Sequence, residues 1–261
     1  MVLEEFGLIA SDTARTKAYL HAMIQENKLP KVCIIYSDNI LKMQKEVQQY
    51  KKGCTDNKYF DINRPVLSFI QEAGISCVFV ENRDINSEQI KSIIQNLPQK
   101  YLIYSGYGGY ILKSHLFQLG KKFVHIHAGI LPEYRGSTTA YYSFLQERNF
   151  GATAIFLSEG IDEGEIIVQD TFGIPDEPVD IDYIYEPYIR SRVLMKAIDK
   201  YIAEGEFTAK SQGIEGAETY FIIHPVLKHI AMLGIEKVWD ERRSMEGKCG
   251  SSDIHTTCGN N

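Results

Sequence analysis

The sequence predicts an α/β protein with a mostly parallel, twisted sheet, helices on both faces and a small C-terminal extension. Short runs of consecutive apolar residues alternate with amphipathic stretches of helical length over the first half of the chain. These runs are apolar throughout instead of alternating with polar residues, as is typical of parallel strands covered by helices on both sides. The βαβα rhythm therefore indicates a Rossmann-like arrangement.

Ten elements are expected in this first half. The strands are residues 6–10, 31–36, 76–80, 101–104 and 122–127. The helices are residues 11–25 (with Ser11 or Asp12 as the cap), 39–51, 65–73, 87–96 and 112–119.

The second half has a different pattern. Ser137 is expected to cap a helix reaching residue 148, followed by an antiparallel pair, 151–157 and 165–169, and a long helix over 180–203. A strand over 220–224 and a helix over 225–233 are weaker signals. We therefore divide the chain into a catalytic α/β domain (1–205), a small C-terminal extension (206–243) and a mobile tail (244–261).

Composition narrows the class of partner. The chain has 261 residues and a formal net charge of -6, with 44% hydrophobic and 24% charged residues. A surface that holds a nucleic-acid backbone is usually basic. The negative net charge therefore argues against a tRNA or DNA partner, although a protein with this net charge can still have a local basic patch.

The cysteines suggest a reduced compartment and no metal centre. There are five of them, widely spaced and without a CxxC pair. Cys33 and Cys77 sit in apolar runs and are expected to be buried; Cys249 and Cys258 could pair or bind a metal with His255, but a disordered tail is the favoured interpretation. No signal peptide or membrane-spanning run is evident, so we expect a cytoplasmic protein.

His125, His127 and Asp162 are the candidates for chemistry. The two histidines end the fifth predicted strand, and sites in parallel sheets lie beyond the carboxyl ends of strands. Asp162 lies between Gly160 and Gly164, which allow close approach of another loop. A carboxylate beside an imidazole can move a proton or stabilise an oxyanion. Alternatively, one histidine is a hydrogen-bonded core residue and Asp162 a turn residue.

The segment around these residues resembles the signature of the folate-dependent formyltransferases. That pattern is Asn-x-His-x-Ser/Gly-x-Leu-Pro-x-x-Arg-Gly, followed by Gly-x-Thr and Asp-x-Gly. Here the run His125-Ile-His-Ala-Gly-Ile-Leu-Pro-Glu-Tyr-Arg-Gly136 is followed by Gly151-Ala-Thr153 and Asp162-Glu-Gly164. The order and spacing agree over about residues 100 to 170.

The resemblance implies formyl transfer from 10-formyltetrahydrofolate to an amine, without a metal. His127 and Asp162 match the family's catalytic His and Asp, whereas His125 stands where the family has Asn. Losing one oxyanion donor costs about 2.7–4 kcal/mol of barrier. His125 could therefore replace the amide as a hydrogen-bond donor, redirect the site to another acyl-like donor or acceptor, or weaken formyl transfer.

The resemblance also assigns binding residues. The loop at 106–112 resembles the one that cradles the pterin ring, so the expected cofactor-binding residues are Gly108, Gly109, Tyr110, Ile111, Leu112 and, in the Asp162 loop, Gly160. The expected substrate-binding residues are Ser11, Asp12, Arg135 and Tyr141, each with a structural alternative: helix capping for the first two, loop structure for Arg135 and core packing for Tyr141.

The acceptor is inferred by exclusion. The methionyl-tRNA enzymes carry an added basic barrel, for which the residues after Gly205 are too few. The sugar formyltransferases have C-terminal elements that dimerise or extend the acceptor site. We therefore expect a small-molecule amine, such as a nucleotide-linked amino sugar or another biosynthetic intermediate, and consider a homodimer. The alternatives are a 10-formyltetrahydrofolate hydrolase, with His125 activating water, and a folate- or ligand-binding protein that has lost catalysis.

Overall fold

The computed structural model describes residues 1–51, 58–213 and 216–249, with side chains as far as residue 245. Cys54, His255 and Cys258 lie outside the described residues, and Cys249 is described only as backbone. The prediction for the two C-terminal cysteines therefore stays a prediction.

The centre of the fold is a seven-stranded sheet. The strands are β1 (Val2–Ala10), β2 (Leu29–Ser37), β3 (Ser76–Glu81), β4 (Tyr101–Ser105), β5 (Lys122–His127), β6 (Arg135–Gly136), β7 (Phe150–Phe156), β8 (Ile166–Phe172) and β9 (Thr219–Tyr220). The sheet has the order β3-β2-β1-β4-β5-β7-β8, and β6 pairs separately with β9. Strands β1 to β5 are parallel, whereas β7 is antiparallel to both β5 and β8. The predicted α/β class with its mostly parallel sheet is confirmed.

Helices cover both faces of this sheet. They are α1 (Ala14–Gln25), α2 (Ile40–Gln49), α3 (Val66–Ala73), α4 (Glu88–Asn96), α5 (Ser114–Phe117), α6 (Thr139–Glu147), α7 (Glu186–Glu204) and α8 (Pro225–Cys249). One apolar core lies under α1, α3 and α7, and a second lies under α4 and α5. Alternate residues of one strand enter opposite cores: Leu8 of β1 packs in the first and Ile9 in the second. This explains why the strands are apolar throughout.

Two predicted helix caps are wrong. Thr13 caps α1, because its side chain accepts a hydrogen bond from the Thr16 amide, whereas the Ser11 hydroxyl is buried and donates to the Tyr36 carbonyl. Ser137 does not cap α6, which begins after Thr138. The amide of Ser137 donates to Tyr220 of β9, so the chain there still follows the small β6–β9 pair.

Helix α8 packs onto the rest of the described chain through a third apolar core. This core joins α6, the start of α7 and α8, and the turn of π-helix at Ile181–Tyr185 that precedes α7. The Trp239 indole of α8 is buried and donates to the Pro175 carbonyl, 2.7 Å away. Helix α8 continues to Cys249, so the predicted end at residue 233 is wrong and residues 244–249 of the predicted tail are helical.

The cysteines of the two neighbouring strands β2 and β3 are shielded from solvent. Cys33 is buried and Cys77 half-buried, and they are register partners on β2 and β3. Burial raises the pKa of Cys77 to about 12, which keeps it a neutral thiol.

Among the described residues, no helix combines the length and apolarity that crossing a bilayer requires.

Gly164 follows the Asp162 loop at a point where only a glycine fits. A Cβ there would lie 1.6 Å from the carbonyl oxygen of Phe156, whereas one on Gly173 would meet no atom within 4 Å. We therefore expect Gly164→Ala to lower the free energy of unfolding by at least about 1–3 kcal/mol, the usual cost of overpacking. Gly173→Ala, the matched control, should leave it unchanged or raise it by about 0.4–1 kcal/mol. Urea unfolding followed by circular dichroism measures both; equal effects would contradict the argument.

Candidate active site

The carboxyl end of β5 carries two histidines on one face. His125 and His127 are two residues apart, and residues at that spacing in a strand point to the same side. Their register partners on antiparallel β7 are Ile155 and Thr153. The end of β5 thus holds two imidazoles side by side on one face of the sheet.

Both ring nitrogens of His127 face oxygen acceptors. Nε2 donates to the Tyr134 carbonyl at 2.6 Å, and Nδ1 lies 3.3 Å from Oδ2 of Asp162. His127 is only 4% exposed. The ring is therefore fixed in orientation by contacts with two different loops, one at each nitrogen.

The loop after β5 is shaped to present the Tyr134 carbonyl. A Cβ on Gly129 would lie 2.9 Å from that carbonyl oxygen, so a larger residue would push the loop off His127. The Thr153 hydroxyl donates to the Gly129 carbonyl at 2.6 Å and accepts from the Leu131 amide at 3.2 Å. The Gly-x-Thr element is thus the support of the loop that holds His127.

Asp162 approaches His127 from the β7–β8 loop. Its backbone is left-handed, with φ of 54°, and its Oδ2 also accepts from the Gly136 amide at 3.0 Å. Burial would raise the pKa of Asp162, but the charge and hydrogen bond of His127, with smaller contributions from His125 and Gly136, lower it well below its usual range. Asp162 is therefore a carboxylate at neutral pH.

Arg135 supports this loop from outside. Its guanidinium donates to Oε1 of Gln212 at 2.8 Å, and the Gln212 side-chain amide donates to the carbonyls of Asp162 (2.8 Å) and Gly164 (2.7 Å). The Arg135 side chain is 11% exposed and lies 3.8 Å from Glu163. Of the two expected roles of Arg135, its contacts correspond to loop structure.

His125 is held differently from His127. Its Nδ1 lies 3.5 Å from the Tyr104 carbonyl, a long contact in which only the nitrogen can donate. Burial and the nearby charges of Arg15 and Arg190 lower the pKa of His125 well below its usual range, against the opposing effect of Asp162. The ring is thus neutral at pH 7, and with Nδ1 protonated, Nε2 keeps its lone pair.

Two cavities meet at this point. The larger, of about 340 Å³, is polar, and the smaller, of about 130 Å³, is mostly apolar. His125 and Asp162 line both cavities, whereas His127 lines the larger one. The smaller cavity is lined mainly by Tyr104, Tyr110, Ile111, Leu112, Phe117, Leu157, Ser158, Gly160 and Ile161.

The expected cofactor-binding residues divide between these spaces. Tyr110, Ile111, Leu112 and Gly160 line the smaller cavity, whereas Gly108 lines the larger. Gly109, with φ of 79°, is a lining residue of neither.

The four expected substrate-binding residues do not come together. Tyr141 lines the larger cavity and donates to Asp182 at 2.7 Å. Asp12 lines two other hollows, beside β2 and α3, and Ser11 is buried. With Arg135 placed behind the Asp162 loop, only Tyr141 of the four reaches the space beside His127.

The sequence interpretation missed charged residues on the wall of the larger cavity. They are Arg15, Asp182, Glu186 and Arg190. Arg15 follows the first strand within the first turn of α1, a position at the carboxyl edge of the sheet that could have marked it. Glu186 and Arg190, four residues apart, have the spacing of an ordinary surface ion pair, so only tertiary structure reveals their role.

A pH series tests the charge of Asp162. Because its folded pKa is depressed, the carboxylate stabilises the fold above its unfolded pKa of about 3.9, and this contribution is lost as the pH falls towards the folded pKa. Asp162→Asn should therefore lower the free energy of unfolding by about 1–3 kcal/mol at pH 7, and the difference should shrink below about pH 4. Urea midpoints at each pH measure this.

The matched control is Asp38→Asn, since that carboxylate is 63% exposed and lies 3.7 Å from Arg83. Such a surface pair should contribute at most about 1 kcal/mol. An Asp162→Asn difference that does not vary with pH would mean that shape, and not charge, is what Asp162 contributes.

The chain is similar in sequence to proteins of known family. The family model described as formyl transferase matches residues 9–182. Curated relatives include the methionyl-tRNA formyltransferase of Finegoldia magna, 26% identical over 144 residues, which are 55% of this chain and 45% of that protein. They also include formyltetrahydrofolate deformylase 2, mitochondrial, of Arabidopsis thaliana, 27% identical over 143 residues, 53% of this chain and 43% of that protein. This chain thus spans less than half the length of either relative.

A solved structure shares the fold. The N-formyltransferase of Helicobacter canadensis, in complex with folinic acid and dTDP-3-aminofucose, matches with a TM-score of 0.52 and 16% identity. The match covers 85% of this chain and 71% of that one. Since the family model covers more than half of the chain, including His125, His127 and Asp162, the chain belongs to the formyl transferase family.

Proposed function

We propose that this protein transfers the formyl group of 10-formyltetrahydrofolate to the amine of a small molecule. The observation that carries the proposal is that His125 and Asp162 line both cavities. A formyl group at the inner end of the smaller cavity would lie against the same two side chains as an amine in the larger one. Holding the formyl group and the amine close together contributes a large part of the rate acceleration in group transfer.

The smaller cavity suits the donor. Its walls include the aromatic rings of Tyr104, Tyr110 and Phe117, and flat apolar surfaces of this kind suit a conjugated ring. The Helicobacter relative is in complex with folinic acid, which supports a folate as a ligand of this protein. The loop that closes this cavity is anchored from outside, since the Asn86 amide donates to the Ile111 carbonyl at 3.0 Å.

The larger cavity suits the acceptor. It is polar, and Lys228 of α8 pairs with Asp182 on its wall. A space of about 340 Å³ holds a small molecule or the reactive part of a larger one. The net charge of -6 favours a free small acceptor over a tRNA, and the aminofucose nucleotide of the Helicobacter complex supports an amino sugar as one candidate.

Transfer requires one proton to leave the amine. The amine nitrogen attacks the formyl carbon, the bond from that carbon to N10 of the folate breaks, and N10 gains a proton. We assign acceptance of the amine proton to Nε2 of His125, because the ring is neutral and its Nδ1 faces the Tyr104 carbonyl. The His127–Asp162 pair joins the loops after β5 and β7, so its role in the transfer is to hold the reacting groups in place at this point.

Hydrolysis is the second candidate. A neutral imidazole that can activate an amine can also activate water, and formate would then be released. The Arabidopsis relative is a formyltetrahydrofolate deformylase, which supports this alternative.

Tetrahydrofolate release from 10-formyltetrahydrofolate separates the candidates. We expect release to depend on an added amine, with the formylated amine detected by mass spectrometry. Release with formate and without amine would establish hydrolysis instead. Folate binding without release for a broad amine panel would favour a binding protein, and absence of folate binding would overturn the proposal.

Replacing His125 by asparagine tests its role as a base. Since an amide cannot accept the proton, we expect His125→Asn to lower kcat by about 10²–10⁴-fold while the Kd for the folate changes little. His229→Asn, on the exposed side of α8, is the matched control and should change neither. An unchanged or raised kcat for His125→Asn would show that the imidazole acts only as a hydrogen-bond donor that asparagine can replace.

A further inference from the structure

Two guanidinium groups lie on one wall of the larger cavity, but only one has a carboxylate partner. Nη1 of Arg190 lies 2.6 Å from Oε1 of Glu186. Arg15 donates only to uncharged groups, the Gly106 carbonyl at 2.5 Å and the Ser105 hydroxyl at 3.3 Å. Within the described part of the chain, no carboxylate lies within ion-pair distance of Arg15.

The other acidic groups of this wall are already engaged. Asp182 accepts from the Tyr141 hydroxyl at 2.7 Å and pairs with Lys228 at 2.5 Å, while Glu186 is held by Arg190. Asp162 is paired with His127. Among the described guanidinium and carboxylate groups of this wall, Arg15 is therefore the one without a charged or imidazole partner.

The partial burial of Arg15 makes its positive charge costly. It lowers the pKa of Arg15, and the like charge of Arg190 lowers it further. Arg190 is 8% exposed, and its charge is already matched by Glu186, with Tyr19 also beside it. A partly buried guanidinium that lines a polar cavity and has no ion-pair partner among the described residues is an arrangement that an anionic ligand would complete.

The size of the space and its charge balance limit this anion. One unpaired guanidinium matches a monoanion, whereas a phosphate dianion would also face the carboxylates of Asp182 and Glu186. Arg15 and His125 line the same cavity, so the anion would lie near the reacting amine. The bound group must therefore be small and near the nucleophile.

We propose that Arg15 binds a carboxylate of the acceptor, so that the acceptor is a small amine carrying its own carboxylate group, as an amino acid does. That the bound anion belongs to the acceptor rests on the proposed function, whereas the anion site itself does not depend on it. Two faces of one ligand would then be recognised: the carboxylate by Arg15 and the amine at His125 and Asp162.

Acetate binding tests the anion site without folate. The Cε1–H signal of His125 reports on ligands beside Arg15, and acetate is titrated at constant ionic strength with acetamide as the uncharged control. We expect acetate, but not acetamide, to shift the signal saturably. Arg15→Gln should weaken acetate binding at least about tenfold. Arg15→Lys should retain part of it, and Arg192→Gln, an exposed arginine paired with Glu26, should behave as wild type.

Three outcomes would overturn this proposal: no acetate shift in wild type, an undiminished shift in Arg15→Gln, or inorganic phosphate binding more tightly than acetate, which would make the site a phosphate subsite. The acetamide comparison needs no variant, so it holds even if Arg15→Gln fails to fold.

With 10-formyltetrahydrofolate, glycine and β-alanine should support more tetrahydrofolate release than their carboxamides. Acetate binding without release for any amine would leave the anion site standing and refute the transfer reaction. Equal release with carboxamides would refute the carboxylate assignment alone.

Discussion

The hydrogen bonds of His127 hold the functional centre of this protein together. One nitrogen binds the carbonyl of the loop after β5, and the other faces the carboxylate of the loop after β7. The same carboxylate accepts from the Gly136 amide, and Gly136 pairs with Tyr220 of the extension. Three segments far apart in sequence therefore converge on one buried imidazole. Loss of either partner would leave a buried polar group unsatisfied, which is why this arrangement can be held in a single geometry.

The change of strand direction after β5 sets where the two cavities meet. The β7–β8 loop leaves the sheet where the Leu157 amide donates to Phe123, near the start of β5. Asp162, in the same loop, reaches His127 at the end of β5. The loop thus runs along the strand beside His125, and its residues become a wall of the smaller cavity. An added parallel strand would need a long crossover here, whereas the antiparallel connection keeps this loop short and over the site.

The sequence predicted the elements whose cause is local and missed those whose cause is tertiary. Continuous apolar runs gave β5 its observed bounds, and Ser87 was correctly identified as the cap of α4. The end of α8 was missed because its polar last turns carry no apolar stripe, although Trp239 anchors the helix to the core. At the site, motif spacing identified His127 and Asp162 as partners. It could not place Arg15, because a single arginine after a strand has no pattern until the fold supplies the cavity.

The charges around His125 connect the two halves of the proposed reaction. Arg15 and Arg190 lower the pKa of His125, while Asp162 raises it. An anion bound to Arg15 would offset the first of these effects, so acceptor binding would make His125 a stronger base. In the absence of acceptor, the imidazole is a weaker base and activates water less readily. On the proposed function, His125 would thus limit hydrolysis of the donor, because the base would strengthen when the acceptor's own charge is in place.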